Sequence, residues 1–347
     1  MKLSLIHLIG ICVIPLTAVG QNSPAALRKS SPPSAVPAHL QLTTTAKVSE
    51  GGALVGKARC DDDRNIYIRL ARADDHVGSK LPIQKIKPNG NVTATFKVTD
   101  AGPDIDAMDF FVSGTGKVYE EAWDRVGKMH VLEYSSDGSL KSNVTLDTEP
   151  PVFPYQIAVF SSGEWLVSGL HGPHLYTPFT AVFDSRGKLI KKIYDSEDED
   201  SRKKAEAGDG AFITDAGTGN NSVYEGDAAA GSDGNVYLLR AISPALIYVI
   251  SPKGEIIRKL RLDSPDPELL AQRIRITDGK LAVSFLANNS TVGVTEVVDF
   301  QGNPIVDYVV DDERIYPGLP GCYMPQGFAF LDDDGADNVY LRTAVPR

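Results

Sequence analysis

Long hydrophobic runs are missing from this chain of 347 residues: beyond the first twenty, no segment reaches the roughly 18 consecutive apolar residues that a membrane-spanning helix requires. An excess of positive charge is missing too. The net charge is −10 with an isoelectric point near 5.1, and no basic patch or basic-aromatic interleaving offsets it, which argues against nucleic acid or anionic lipid as a partner. There is no serine-centred nucleophile elbow, no glycine-rich phosphate loop and no Cys-His pair placed for catalysis, so nothing supports nucleophilic chemistry. Cysteine is sparse, at positions 12, 60 and 322 only.

What is present begins with Lys2, an apolar stretch from Leu3 to Leu16 and the small residues Ala18-Val19-Gly20, the pattern of a secretory signal over residues 1–20 with cleavage before Gln21. Cys12 leaves with it. Cys60 and Cys322 then remain in a secreted or periplasmic setting, where disulfides form. Residues 21–38, "QNSPAALRKSSPPSAVPA", have no periodic apolar positions and are expected to be a disordered leader. A single globular domain is expected over residues 39–347.

That domain is built from two alternating phrases. "IQKIKPNGNVTATFKV", "VLEYSSDGSLKSNVTL", "TAVFDSRGKLIKKIYD", "IYVISPKGEIIRKLRL" and "TEVVDFQGNPIVDYVV" each read as strand, glycine turn and strand, which is a hairpin. Their turn glycines, Gly90, Gly138, Gly187, Gly254 and Gly302, are 48, 49, 67 and 48 residues apart. Between them lie further strand-turn-strand copies such as "MDFFVSGTGKVYEEA" and "AAAGSDGNVYLLR". Four antiparallel strands recurring every 40 to 50 residues mark the blade of a β-propeller, so the predicted fold is all-β with six four-stranded blades. Six inner pairs but five outer hairpins leave the last blade short, and "HLQLTTTAKVS", His39 to Ser49, is the segment available to close the ring as an N-terminal strand.

With "DGNVYLL" followed by "ISPKGEIIRKL", nearly all of the chain after the leader resembles the six-bladed propellers of the NHL-repeat and SMP-30/gluconolactonase-like groups. Such phrases specify turns and packing, so the resemblance implies a fold and no reaction. The SMP-30-like members carry a calcium-type site of Glu, Asn and Asp at the channel mouth. Here Arg273 and Gln326 occupy blades five and six and the first blade offers no clear glutamate, which departs from that pattern.

Aligning the copies on their turns places Arg59, Asp109, Gln156, Asp227, Arg273 and Gln326 around the channel face as candidate ligand-binding residues. Asp109, Glu225 and Asp227 are the candidate cation ligands, with calcium the cation such oxygen donors take. His171 and His174 in "HGPHLYTP" form a second, weaker metal candidate, because Gly172-Pro173 precludes a helix between them. The lengthened interval contains an acidic insertion, about 196–226, leading to the same face as a lid, a cation loop or a solvated acidic loop. In a closed ring of six blades Cys60 and Cys322 are neighbours, and the expected disulfide closes a loop of over 260 residues. The expectation is an exported monomer that requires no cofactor and binds a small polar ligand or another exported protein. The alternative is a metal-dependent hydrolase or lyase of the lactonase-like kind.

Overall fold

The computed structural model describes residues 28–29, 38–50, 53–71, 78–149, 151–171, 177–193, 226–240, 244–265, 269–277, 279–287, 293–310, 322–324, 327–333 and 338–346. Most of what is described is strand. Two N-terminal strands, β1 (Arg28–Lys29) and β2 (Ala38–Glu50), precede a series of up-and-down sheets. The first sheet is β3 (Ala53–Cys60), β4 (Ile66–Ala71), β5 (Ile83–Ile86) and β6 (Val92–Phe96). The second is β7 (Asp106–Val112), β8 (Val118–Trp123), β9 (Met129–Tyr134) and β10 (Leu140–Thr145). The third is β11 (Val152–Val159), β12 (Trp165–His171), β13 (Thr177–Phe183) and β14 (Leu189–Lys192). The fourth is β15 (Gly226–Ala230), β16 (Val236–Arg240), β17 (Ala245–Ile250) and β18 (Ile256–Leu262), with β1 added in parallel on its outer edge.

The remaining strands form one sheet of eight: β19 (Leu269–Thr277), β20 (Lys280–Ala287), β21 (Gly293–Asp299) and β22 (Pro304–Val310), then β2, then β25 (Asn338–Pro346), β24 (Gly327–Asp333) and β23 (Cys322–Met324). Where sequence patterning predicts two separate four-stranded units, the hydrogen bonding is continuous. The reason lies in β2. It pairs antiparallel with β25 from Leu40 to Glu50, while its first three residues pair in parallel with β22, Ala38 opposite Tyr308 and Leu40 opposite Val310. The N-terminal segment therefore closes the structure as expected and bridges two edges in doing so. The innermost strands form a closed circuit, with β3 against β7, β7 against β11, β11 against β15, β15 against β19, β19 against β23 and β23 against β3.

Turn chemistry builds the units. All five hairpin glycines have φ between 74° and 94°, and each glycine N–H donates to the carbonyl three residues earlier, as Gly138 does to Ser135 at 3.0 Å and Gly187 to Asp184 at 2.9 Å. A left-handed residue after a type I turn adds one residue to a strand, and the register shifts beside these turns, for example between Val182 and Phe183. A Cβ at Gly138 would collide with the Thr95 carbonyl, and one at Gly187 with that of Thr145. Each turn thus docks on the outer strand of the preceding sheet, so glycine serves conformation and packing together.

Burial follows position within a sheet. The middle strands are buried on both faces, as in Val236 to Leu239, whereas the outer strand β10 alternates half-buried with exposed side chains. Large aromatics fill the gaps between sheets, Phe96 lying 5.8 Å from both Tyr67 and Tyr134. The Tyr67 hydroxyl donates to Asp61 at 2.8 Å and that of Tyr237 to Asp233 at 2.9 Å, so the repeated turn-then-tyrosine phrase is a structural lock.

Cys60, at the end of β3, is bonded to Cys322 with the Cα atoms 5.4 Å apart at a sequence separation of 262. Cys322 begins the strand β23, in a last unit that draws three strands from the C-terminal part of the chain and one from the N-terminal part. The signal segment 1–20 and the acidic insertion up to residue 225 lie outside the described residues.

Candidate functional site

Charged side chains from the inner strands converge where those strands come together. Arg59 on β3 is the hub. Its Nε donates to the Phe110 carbonyl at 2.5 Å, and its Nη2 lies 3.1 Å from Asp109 Oδ2 and 3.2 Å from Asp227 Oδ1. From β19, Arg275 reaches Asp227 Oδ2 at 2.5 Å and also donates to the carbonyls of Ile274 and Ala58. Lys57, two residues before Arg59 and on the same face of the strand, places Nζ 3.7 Å from Asp227 and 3.9 Å from Asp109. The backbone N–H groups of Ile157 and Ile274 donate to the two aspartates at 3.4 and 3.3 Å.

The electrostatics follow from burial. For the fully buried Asp227, desolvation alone would raise the pKa, but the charges of Arg275, Arg59 and Lys57 outweigh it and hold the carboxyl well below the usual range. Burial lowers Lys57, with Asp109 and Asp227 opposing that shift. Arg273, partly buried, donates Nη1 to the Gln272 carbonyl at 2.9 Å, while its Nε has no hydrogen-bond partner among the described residues.

Beside this network lies a group of a different kind. Glu121 on β8 is completely buried, and neither carboxylate oxygen has a hydrogen-bond partner among the described residues. Burial raises its pKa well above the usual value, the Asp109 charge adds to this, and Lys57 opposes it. Trp123 shares the Glu121 face of β8 and packs 5.1 Å from Phe153 of β11, so that face looks onto the third sheet. Phe153 stands opposite Leu170 and Gln156 opposite Ser168, which puts Gln156 and Ser168 on the facing side of the same gap. Both are buried, and the Gln156 carboxamide and Ser168 hydroxyl also lack partners among the described residues.

Of the residues expected around the channel, Arg59, Asp109 and Asp227 are joined directly, Arg273 adjoins them electrostatically, and Gln156 lies next to the Ile157 N–H that Asp109 accepts from. Gln326 lies outside the described residues, as do Glu225 and His174; His171 ends β12, and nothing is described of its side chain. Sequence reasoning missed Lys57, Arg275 and Glu121. Lys57 and Arg275 are two positions from aligned residues on alternating strands, and the paired acids of "VYEEAW" were the available sign of Glu121.

A cavity of about 150 Å³ opens against Arg59 and Arg275, floored by Ala228, Ala229 and Gly114 and bounded by Tyr323. Among the described residues, no group of three or more His, Cys, Asp or Glu side chains is placed to hold a metal ion. No helix there is long and apolar enough to cross a membrane.

No protein-family model matches the sequence, and no curated protein is detectably similar to it. Solved structures are similar in shape. A proposed exported protein from Bacteroides fragilis superimposes with a TM-score of 0.51 at 13% identity, over 92% of this chain and 98% of the other. A protein of unknown function from Dyadobacter fermentans gives 0.52 at 10% identity over 88% and 99%, and a proposed gluconolactonase gives 0.50 at 10% over 89% and 92%. The chain folds as a β-propeller. Identities this low carry the fold alone, so the function of the propeller rests on its own side chains.

Proposed function

We propose that this is an exported propeller whose six blades surround a channel that binds a small polar ligand without transforming it. Counting the eight-stranded sheet as two blades joined by β2 makes each of the six contacting inner strands the core of one blade. Export is supported by the signal pattern over residues 1–20 and by the Cys60–Cys322 bond, which belongs to an oxidising compartment.

One observation carries the binding reading: Lys57, Arg59, Asp109, Asp227 and Arg275 converge from three sheets and the eight-stranded sheet's first strand onto the channel. Removing so many charges from water is costly, and well-packed apolar side chains would close a channel more cheaply. Polar groups gathered in a concave, ring-shaped fold are the usual equipment of a ligand site.

The second reading is a calcium-type lactonase-like hydrolase or lyase with Asp109, Glu225 and Asp227 as ligands. It draws on the gluconolactonase-like neighbour and on the two aspartates, but a cation there would have to displace Arg59 and Lys57 from both carboxylates. Metal analysis with thermal melting in calcium and in chelator separates the two. Channel binding predicts stabilisation by a hit from a screen of sugars, lactones and peptidoglycan fragments, lost in Asp109→Asn and indifferent to chelator. A bound metal, a chelator-sensitive melting point and lactone turnover would replace it with the second reading.

A further inference from the structure

The structure assigns a small organic anion as the channel ligand, its charge met by Arg273 and Lys57 and its neighbouring hydroxyl by Glu121 and Gln156. This rests on the channel being a ligand site. Three observations carry it.

The first is sign. In a chain of net charge −10, the described part of the channel gathers Lys57, Arg59, Arg273 and Arg275 against Asp109 and Asp227, with Asp62 lining the cavity beside Arg59 and Arg275. Glu121 does not redress the balance, because a fully buried carboxyl without a hydrogen-bond donor is far less costly when protonated. Among the described residues the cations outnumber the carboxylates, which favours an anion over a cation as the occupant.

The second is unused donor capacity. Arg59 and Arg275 spend their Nη groups on aspartates and backbone carbonyls, whereas among the described residues Arg273 donates to the adjacent Gln272 carbonyl alone; the Nε atoms of Arg273 and Arg275 are both buried without a partner there. A guanidinium so placed can bind a carboxylate without dismantling the network.

The third is the polar group beside the cations. Glu121 feels the charges of both Lys57 and Asp109, and Gln156 adjoins the N–H that binds Asp109, so these unpartnered groups border the same cluster. A protonated carboxyl and a carboxamide both donate and accept, which suits a hydroxyl rather than a second charge. Leaving them unmet is expensive, and a ligand that meets them gains selectivity over analogues without the hydroxyl.

The test is calorimetric titration of the full oxidised chain at constant ionic strength with L-malate, succinate, inorganic phosphate and the uncharged malamide. The expected result is that malate binds, succinate binds several-fold more weakly and malamide fails to bind. Arg273→Gln should weaken malate by about 10- to 100-fold, the loss expected for a charge-assisted hydrogen bond. Glu121→Leu should weaken malate while leaving succinate unchanged. Because Arg273 is only partly buried, its variant is expected to fold, and Lys57→Gln provides a second charge deletion whose melting point reports folding independently. Malamide binding as well as malate, with both reduced in Asp109→Asn, would overturn the anion assignment and keep the channel reading. Malate binding that neither charge deletion nor Asp109→Asn reduces would overturn both. Phosphate binding more tightly than malate, or no binding by malate, would overturn the carboxylate assignment.

Discussion

Glu120 and Glu121 are consecutive residues of one strand, equally buried, and they meet opposite fates. Glu120 faces the first sheet, where Arg69 Nη2 lies 2.6 Å from Oε1 and the Tyr134 hydroxyl donates to Oε2 at 2.9 Å. Arg69 also donates to the Met108 carbonyl at 2.9 Å and lies over the Phe110 ring. Glu121 faces the third sheet and has none of this. The first gap uses a buried charge as a fastener between sheets. The second keeps an acid that no hydrogen-bond donor among the described residues meets, with only the nearby charge of Lys57 in its favour, so the two gaps treat a buried carboxyl differently.

The largest expected effect breaks the fastener. Glu120→Ala leaves Arg69 buried beside an unmet Tyr134 hydroxyl and should destabilise by about 3 to 5 kcal/mol in urea unfolding. A loss below about 1 kcal/mol would mean that the two gaps do not differ in kind.

A third buried acid extends the comparison to the fifth unit. Glu296 stands directly opposite Asp307, with Asp263 nearby, and burial followed by those two like charges raises its pKa to about 7. A folded pKa raised above the unfolded value means that its favourable contribution is complete below pH about 4.5 and disappears as pH rises to about 7. Glu296→Gln should therefore match the parent at pH 4 and exceed it by about 2 to 3 kcal/mol above pH 7. Equal stability differences at both pH values in chemical denaturation would refute this.

Replacing the orphan itself gives a smaller effect of opposite sign to that of Glu120. Glu121→Met removes a buried polar group without a partner and should stabilise by about 1 to 2 kcal/mol at neutral pH, measured without ligand. Destabilisation would show that Glu121 is a structural member after all.

The smallest effect calibrates the turns. In "DDDRNIY" Arg64 has φ of 65°, at the position that Gly234 occupies with φ of 83° in "GSDGNVY". Arg64→Gly should raise stability by about 0.5 to 1 kcal/mol, visible as a higher melting point. No change would mean that Arg64 side-chain packing offsets the backbone cost.

Much of this was readable from the chain. The five turn glycines, spaced about one unit apart, announced hairpins, and all five adopt the left-handed conformation their pattern requires. Aligning the turns picked out Arg59, Asp109 and Asp227, which hydrogen bonds join, and Arg273, whose charge reaches the two aspartates, because repeated strand-turn-strand units carry equivalent inner-strand positions. Lys57 and Arg275 escaped that alignment by two residues, a full strand repeat that keeps the side chain on the same face. The eight-stranded sheet was not legible, since β2 reaches its parallel partner β22 through three residue pairs that leave no pattern in either sequence.

By itself the sequence determined the repeating unit, the turn chemistry, the acidic surface and the two cysteines that a closed ring would bring together. These are local or additive properties, set by glycine, aspartate and alternating apolar residues acting within a few positions. Only the tertiary structure decided which buried polar groups are satisfied. Two adjacent glutamates are separated by the pleat of a strand: Glu120 meets Arg69 of the first sheet, and Glu121, on the other face, meets no hydrogen-bond partner among the described residues. The energy of a buried charge depends on those partners far more than on its neighbours in sequence, so the site took its meaning from the ring.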